Sequence, residues 1–292
     1  MDFQLTDDQR ALRGGVRELL EGRFDGAALR DALDPDAPSL DRALWRELGD
    51  AGFFALRLPE EEGGVGLGLP EAVLAFEEAG RVLLPGPLVA TFLAARDVAG
   101  AARGEVVVTA VSGGLVPWMD EADVVRGDAS DVSGAVPLRS VDPLTPLHRV
   151  AGSESGAKAP EADLLIAAEQ LGSAGRTCEM AVRYARERTQ FGQAIGAFQA
   201  VKHLCAQMLV RAEVARGAVY AAAVTGDVLD IAGAKLLADD AAVRNARDCL
   251  QVHGGMGFTW EADVHLHLKR AWVRAGLGQS ARDAEEGLAA AL

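Results

Sequence analysis

The sequence has few cysteines, few aromatic side chains and no long apolar stretch, and each shortage excludes a class of protein. The three cysteines, Cys178, Cys205 and Cys249, lie far apart in the sequence and form no CxxC pair, so neither a disulfide framework nor a zinc site is predicted. Nowhere do about 18 uninterrupted apolar residues occur, and residues 1–5 contain no basic stretch leading into an apolar run. We therefore expect a protein of the reducing cytoplasm, without a membrane segment or a leader peptide.

Negative charge exceeds positive charge by a wide margin. The chain of 292 residues carries 29 Lys and Arg against 43 Asp and Glu, which gives a net charge of −14. This excess argues against general binding to nucleic acid or to an anionic membrane, because both depend on Lys and Arg. With 49% hydrophobic and only 5% aromatic residues, the core must consist mainly of Ala, Leu and Val. That composition favours a folded protein of closely packed helices.

Three regions that differ in composition and hydrophobic pattern follow one another along the chain. We assign an N-terminal helical domain, a reduced β domain and a C-terminal helix bundle, with the boundaries 1–100, 101–160 and 161–292. The middle region contains short β-branched runs at 105–111 and 123–126, separated by Gly, Pro and Asp. In the last region apolar residues recur with a helical period, and four consecutive helices joined by short turns predict a bundle. The predicted fold class is mainly α with a small β insert.

Motifs of general catalytic or metal chemistry are absent from the sequence. It contains no HExxH, no phosphate-binding P-loop and no complete GxGxxG in the glycine-rich segment 58–68. His265 and His267 are two residues apart, so on a helix they point about 200° apart and are poorly placed to share a metal. We therefore predict no metal site.

Two connections between bundle helices stand out. Residues 186–199 contain Arg188 beside a predicted tight turn, and residues 251–258 contain the pair Gly254-Gly255. An arginine fork near a turn suits a pyrophosphate, and paired glycines allow a ligand to touch the backbone. On residue chemistry alone, both segments also fit ordinary helix connections, in which Phe191 packs in the core and Arg188 pairs with a surface acid.

Together these segments resemble the acyl-CoA dehydrogenase family of flavoproteins. The likeness rests on LPEEEGG at 58–64, RTQFG at 188–192 with FQ at 198–199, and QVHGGMGF at 251–258, in the expected order. It implies the fold of that family, with an N-terminal helical domain, a central β domain and a C-terminal four-helix bundle that mediates oligomerisation. The cofactor implied by the resemblance is FAD, and the implied substrate is an acyl-CoA.

The resemblance also implies which residues touch the flavin. They would contact FAD of a neighbouring subunit, mainly at its diphosphate and adenosine end, and they are Arg188, Phe191, Gln199, Gln251, His253, Gly254 and Gly255. A complete flavin site would then need at least two subunits, which agrees with a bundle that packs on itself and on a homologous partner.

The chain departs from the family at the catalytic base. In the family reaction a carboxylate removes the α proton of the thioester while a β hydride passes to the flavin. Counted without gaps from Gln251, the usual glutamate position is occupied by Gly278, which has no side chain to accept a proton. Weaker candidates are Glu161 and Asp163, near the start of the first bundle helix, where a second group of family members carries its base. Neither aligns cleanly, and both fit acids that interact with a helix dipole.

The middle region departs from the family as well. Residues 101–160 are fewer than the family β domain requires, and the patterns that hold the isoalloxazine ring are not recognisable. Trp118 stands alone in this region, and we expect it to pack in the interior.

We therefore expect a subunit of a heteromeric α2β2 acyl-CoA dehydrogenase, as in actinobacterial steroid breakdown, paired with a longer homologous subunit. The family expectation for the electron acceptor is an electron-transferring flavoprotein. Two alternatives stay open at this point. One is a self-sufficient homo-oligomeric dehydrogenase with Glu161 or Asp163 as a displaced base, and the other is a redox-inactive scaffold or acyl-CoA-binding protein.

Overall fold

Helices make up most of the chain in the computed structural model, which describes residues 4–34, 40–127, 132–150 and 159–291. The first part of the chain contains α1 (Asp7–Arg23), α2 (Gly26–Asp31), α3 (Arg42–Asp50), α4 (Leu69–Arg81) and α5 (Leu88–Ala94). The last part contains α6 (Pro160–Glu187), α7 (Gln199–Thr225), α8 (Val228–His253), α9 (Val264–Ala275) and α10 (Ala281–Ala290). The predicted class, mainly α with a small β insert, is confirmed. In the described ranges no helix combines the length and the apolar character that crossing a membrane requires.

Side-chain caps fix where the early helices begin. The Thr6 hydroxyl accepts a hydrogen bond from the Gln9 amide at 3.1 Å, and the Gln9 side chain accepts one from the Thr6 amide at 3.0 Å. This is the capping box that the sequence TDDQ predicts. Asp25 and Asp41 cap α2 and α3 in the same manner, each accepting from two backbone amides.

The β insert consists of very short strands. β1 (Val108–Ala110) pairs in parallel with β3 (Val124–Arg126). In a second sheet β5 (Leu147–Arg149) lies between β2 (Leu115–Pro117) and β4 (Val136–Leu138), antiparallel to both. The runs 105–111 and 123–126 thus each contain a strand, but each strand is shorter than its run. Residues 128–131 and 151–158 of the predicted insert lie outside the described residues.

Three long helices, α6, α7 and α8, form the body of the bundle, and α7 runs antiparallel to the other two. The fourth predicted helix is real but short, since α9 has 12 residues and begins at Val264. Between α8 and α9 the glycine-rich stretch forms a 3₁₀ turn over Gly254–Phe258. The C-terminal helix α10 packs on α8.

The N-terminal helices dock on the bundle where α4 crosses α6. A Cβ atom added to Gly172 of α6 would lie 1.9 Å from the Glu77 carbonyl oxygen, and one added to Gly80 of α4 would lie 2.0 Å from the Glu169 carbonyl oxygen. The two backbones are therefore in direct contact, which only glycine allows. Next to this crossing, the buried Glu77 carboxylate accepts hydrogen bonds from Arg216 and from Tyr220 of α7, the latter at 2.6 Å.

A buried arginine joins the β insert to the bundle. Arg270 of α9 forms an ion pair with Asp142 and donates to the carbonyl oxygens of Leu84 and Leu144 at 3.2 and 3.4 Å. Asp142 is fully buried, and it also accepts from the Thr145 hydroxyl at 2.6 Å. The Trp118 ring is buried 6.0 Å from the Arg270 guanidinium, so this tryptophan packs in the interior as expected.

Replacing Gly172 with alanine tests the contact between α4 and α6. Alanine normally stabilises a helix interior by up to about 1 kcal/mol relative to glycine. Here the new methyl group would meet backbone, so we expect Gly172→Ala to lower the free energy of unfolding by roughly 1–3 kcal/mol. Gly175→Ala is the matched control, because its Cβ would have its nearest neighbours at 3.8 Å. Urea denaturation measures both, and equal effects of the two changes would contradict the close crossing.

Candidate functional site

The residues singled out from the sequence lie at the two ends of α6. Asp163 is in its first turn, and Arg188 follows its last residue. At 1.5 Å per residue, the intervening helix separates their backbones by about 37 Å. The name bundle end is used below for residues 188–199 and 251–258, and the 276–280 loop is the connection from α9 to α10.

The structure brings the two predicted connections together at the bundle end. Because α8 runs antiparallel to α7, it ends beside the start of α7 and the end of α6. The ring of His253 stacks on the ring of Tyr184 in α6, with 4.1 Å between centroids. His253 Nδ1 is also hydrogen bonded to the Cys249 carbonyl oxygen at 2.8 Å, which fixes the ring. Sequence reasoning missed Tyr184, although it lies one turn before Arg188.

A two-residue hairpin presents Phe191 to solvent. β6 (Thr189–Gln190) pairs with β7 (Gln193–Ala194), and both turn residues have positive φ, +54° at Phe191 and +80° at Gly192. Such a turn matches the twist of the flanking strands, but the left-handed conformation is unfavourable for phenylalanine. Phe191 is 91% exposed, and its ring lies edge-on to that of Phe198. The interpretation of Phe191 as a core anchor was therefore wrong.

Polar side chains at the bundle end are free to bind another molecule. Arg188 ends α6 through its backbone, whose N–H donates to the Tyr184 carbonyl oxygen at 2.8 Å. The side chains of Arg188, Gln199 and Gln251 are exposed, and none of them bonds to any group in the described part of the chain. The predicted pairing of Arg188 with a surface acid is thus not found among those residues.

The paired glycines leave the backbone open at the end of α8. Gly254 has φ +61° and ψ −140°, a conformation that essentially only glycine adopts. A Cβ on Gly254 or Gly255 would meet nothing within 4 Å, so both face open space. Phe258, four residues further on, is 76% exposed. The bundle end therefore combines a free guanidinium, accessible backbone and uncovered aromatic rings.

At the other end of α6, the 276–280 loop is held from two sides. The Gly278 amide donates to the Ser112 hydroxyl of the β insert at 2.6 Å, and the Gln279 amide donates to Asp163 Oδ1 at 2.8 Å. Ser280 accepts from the Asp283 amide at 3.1 Å and so caps α10. The loop conformation is therefore well defined although position 278 has no side chain.

The two candidate bases have different surroundings. Glu161 is largely exposed and forms an ion pair with Arg57 at 2.8 Å. Asp163 is buried next to Gly278, and burial raises the pKa of its carboxyl, opposed by the Gln279 amide and by the nearby Lys235 ammonium. Lys235 is itself buried and paired with Asp239 at 2.6 Å. Lys235 and Asp239 were missed because nothing in the sequence relates them to Asp163.

The three cysteines are neighbours in space, although they are distant in sequence. Cys178 and Cys249 belong to one buried cluster with Cys205 packed against it. All three are free thiols, and burial raises the pKa of each, to about 11 for Cys178. Within the described ranges no group of His, Cys, Asp and Glu has a geometry suited to a metal.

The environment of His253 leads to a testable pH dependence. Burial lowers the pKa of its imidazole, with a further lowering by Arg183 and an opposing effect of the bond to Cys249. The unfolded chain therefore binds this proton more readily, and the folded state loses stability as the pH falls below about 6.5. In an NMR titration the His253 ring signals should have a lower midpoint in the folded than in the denatured chain. A folded midpoint at or above the denatured one would contradict the burial.

Comparisons with known proteins agree with the fold. The profile of the acyl-CoA dehydrogenase N-terminal domain matches residues 6–102, and that of the acyl-CoA dehydrogenase C-terminal domain matches residues 162–279. The acyl-CoA dehydrogenase IpdE2 of Mycobacterium tuberculosis is 36% identical over 95% of each chain. Among solved structures, the ChsE4-ChsE5 complex from Mycobacterium tuberculosis contains a chain with a TM-score of 0.80 and 24% identity, covering 99% of this chain and 98% of that one. The steroid ACAD Tcur3481-Tcur3483 gives a TM-score of 0.81 at 23% identity, with 97% of each chain covered.

Proposed function

The chain belongs to the acyl-CoA dehydrogenase family, and we propose that it is a subunit that completes a flavin site shared with a homologous partner chain. The assembled enzyme would carry out the α,β-dehydrogenation of an acyl-CoA thioester. The observation that carries this proposal is the separation of the bundle end from Gly278 by nearly the whole length of α6.

That separation is longer than one extended dinucleotide. An FAD whose diphosphate lies at the bundle end therefore cannot also place its ring beside the 276–280 loop of the same chain. The ring of such an FAD would lie in a site formed mostly by another chain. This is the geometry expected of a subunit that contributes to the flavin site of a neighbour.

The chemistry of the bundle end fits the diphosphate part of FAD. The Arg188 guanidinium can donate two parallel hydrogen bonds to a phosphate, and the accessible amides at Gly254 and Gly255 can donate to its other oxygens. Gln199 and Gln251 offer further donors and acceptors beside them. FAD supplies the hydride acceptor when bound, and the role of these residues would be to hold and orient it.

An uncovered apolar face of α7 supports the presence of a partner chain. Val210, Val214, Gly217, Ala221 and Val224 recur at alternating intervals of four and three residues. The three valines on this face are each more than half exposed. Such spacing is typical of a seam that packs against another helix. A homologous bundle is the partner that we propose, and the ChsE4-ChsE5 structure is an assembly of two proteins in which one chain shares this fold.

We propose a bulky acyl group, such as a steroid-derived one, as the substrate class. The support is the short β insert, which would leave room beside the shared site, together with the steroid ACAD that has the same fold. An electron-transferring flavoprotein is the electron acceptor expected from the resemblance.

The chain's own residues offer little support for independent catalysis. Gly278 has no side chain, and Glu161 is paired with Arg57. Asp163 Oδ1 accepts a hydrogen bond from the Gln279 amide. A self-sufficient dehydrogenase would nevertheless have one candidate base close to position 278, namely Asp163. This second candidate function is distinguished from the first by substitution of that residue.

Flavin content tests the shared site. The chain expressed alone should carry little FAD, whereas the complex with its homologous partner should be yellow and should bind FAD stoichiometrically. Within the complex, Arg188→Gln should weaken FAD binding by about tenfold or more, because a charged hydrogen bond to the diphosphate is lost. Arg282→Gln is the control for charge, since this exposed residue of α10 pairs with Glu286. Stoichiometric FAD on the single chain, unaffected by Arg188→Gln, would overturn the proposal.

Substitution of Asp163 by asparagine tests the second candidate. Asparagine keeps an oxygen for the Gln279 amide but cannot act as a base. We expect the Asp163→Asn complex to reduce its flavin with an acyl-CoA at a rate within a few-fold of the unchanged complex. Absorbance of the bound flavin reports this rate, and its abolition in the variant would identify Asp163 as the base.

A further inference from the structure

We propose that Asp163 and Gly278 form a mutually dependent pair, in which the aspartate carboxylate fills the place of a side chain at 278 and fixes the 276–280 loop. The proposal concerns the chain itself, and it stands whether or not the flavin site is shared with a partner. It implies that the absence of a side chain at 278 is a requirement of Asp163 rather than an isolated loss.

The space that a side chain at 278 needs is occupied. A Cβ atom built on Gly278 would lie 2.0 Å from Asp163 Oδ1 and 3.3 Å from Lys235 Cε. Carbon and oxygen atoms that are not bonded stay more than about 3 Å apart, so even alanine does not fit beside this carboxylate. Gly278 also has φ +72°, which adds a backbone preference for glycine.

A loop amide and a buried lysine of α8 lie next to this carboxylate. Asp163 lies in the first turn of α6 and is buried, and its Oδ1 accepts from the Gln279 amide at 2.8 Å. Lys235 of α8 lies beside it and is held by Asp239 at 2.6 Å. Asp239 in turn accepts from Gln170 of α6 at 2.9 Å, and Gln170 also donates to the carbonyl oxygen of Ala271 in α9 at 3.0 Å. Rotating the carboxylate away would break its hydrogen bond to the loop.

The dependence also runs in the other direction. The Gln279 amide donates to no acceptor other than Asp163 among the described residues, so removal of the carboxylate leaves a partly buried donor unpaired. The adjacent Gly278 amide is bound to Ser112 of the β insert. Two neighbouring amides thus tie the loop to α6 and to the β insert, and Asp163 provides one of the two attachments.

The position of Asp163 Oδ1 distinguishes a positioning residue from a base. The carboxylate carbon of a glutamate at 278 would lie two bonds beyond Cβ. Asp163 Oδ1 instead overlaps the Cβ position itself, next to the backbone. Asp163 therefore acts on the loop rather than on a substrate. Because the two groups collide, introducing glutamate at 278 also requires removal of the carboxylate at 163.

Thermal unfolding of the isolated chain tests the pair with four variants. Gly278→Ala combines left-handed strain with the collision, whereas Gly226→Ala suffers similar strain at φ +64° with no atom within 4 Å. We expect Gly278→Ala to lower the unfolding midpoint by roughly 5 °C more than Gly226→Ala does. In Asp163→Ala/Gly278→Ala most of this excess should disappear, although Asp163→Ala alone is destabilising. Equal effects of the two glycine changes, or strict additivity in the double variant, would overturn the proposal.

Amide hydrogen exchange provides a second measurement if Gly278→Ala does not fold. In Asp163→Ala the Gln279 amide should exchange at least roughly tenfold faster than in the unchanged chain, because its acceptor is gone. Asp163→Asn is the control, since it retains an acceptor oxygen. Unchanged exchange of Gln279 in Asp163→Ala would show that the carboxylate does not hold the loop.

Discussion

The direct contact between the backbones of α4 and α6 is the constraint on which the rest of the structure depends. Because Gly80 and Gly172 carry no side chains, the two helices approach closely enough for carbonyl oxygens of one to touch the other. This crossing fixes the N-terminal helices on the bundle and places Glu77 within reach of α7. The crossing lies between the two ends of α6. One end contacts the 276–280 loop, and the other belongs to the bundle end.

Local features of this fold could be predicted from the sequence, and long-range ones could not. The capping box at Thr6, the helical periods and the two runs that contain β1 and β3 depend on neighbouring residues, and they are present as predicted, whereas β2, β4 and β5 were not predicted. Of the candidate site, the sequence identified both connections of the bundle end, but the exposure of Phe191 depends on a turn conformation that its composition does not reveal.

The surroundings of Gly278 show why the remainder of the site was beyond prediction. Lys235, Asp239 and Ser112 belong to α8 and to the β insert, far from residue 278 in the sequence. Their meeting is a product of how three helices and a small sheet pack, and no spacing within one element encodes it. For the same reason, the three cysteines are distant in the sequence but form one cluster in the structure. A bundle of Ala-rich helices offers few distinctive residues from which such contacts could be inferred.

The left-handed turn at Phe191 has a consequence for association. The strands on either side fix the backbone at Phe191 before any other molecule arrives, so little rotational freedom of the backbone remains to be lost when the ring is covered. The unfavourable conformation is compensated during folding of the chain, and binding does not have to overcome it. An exposed aromatic on a preformed turn favours slow dissociation over fast capture, since the ring contributes to affinity once it is buried.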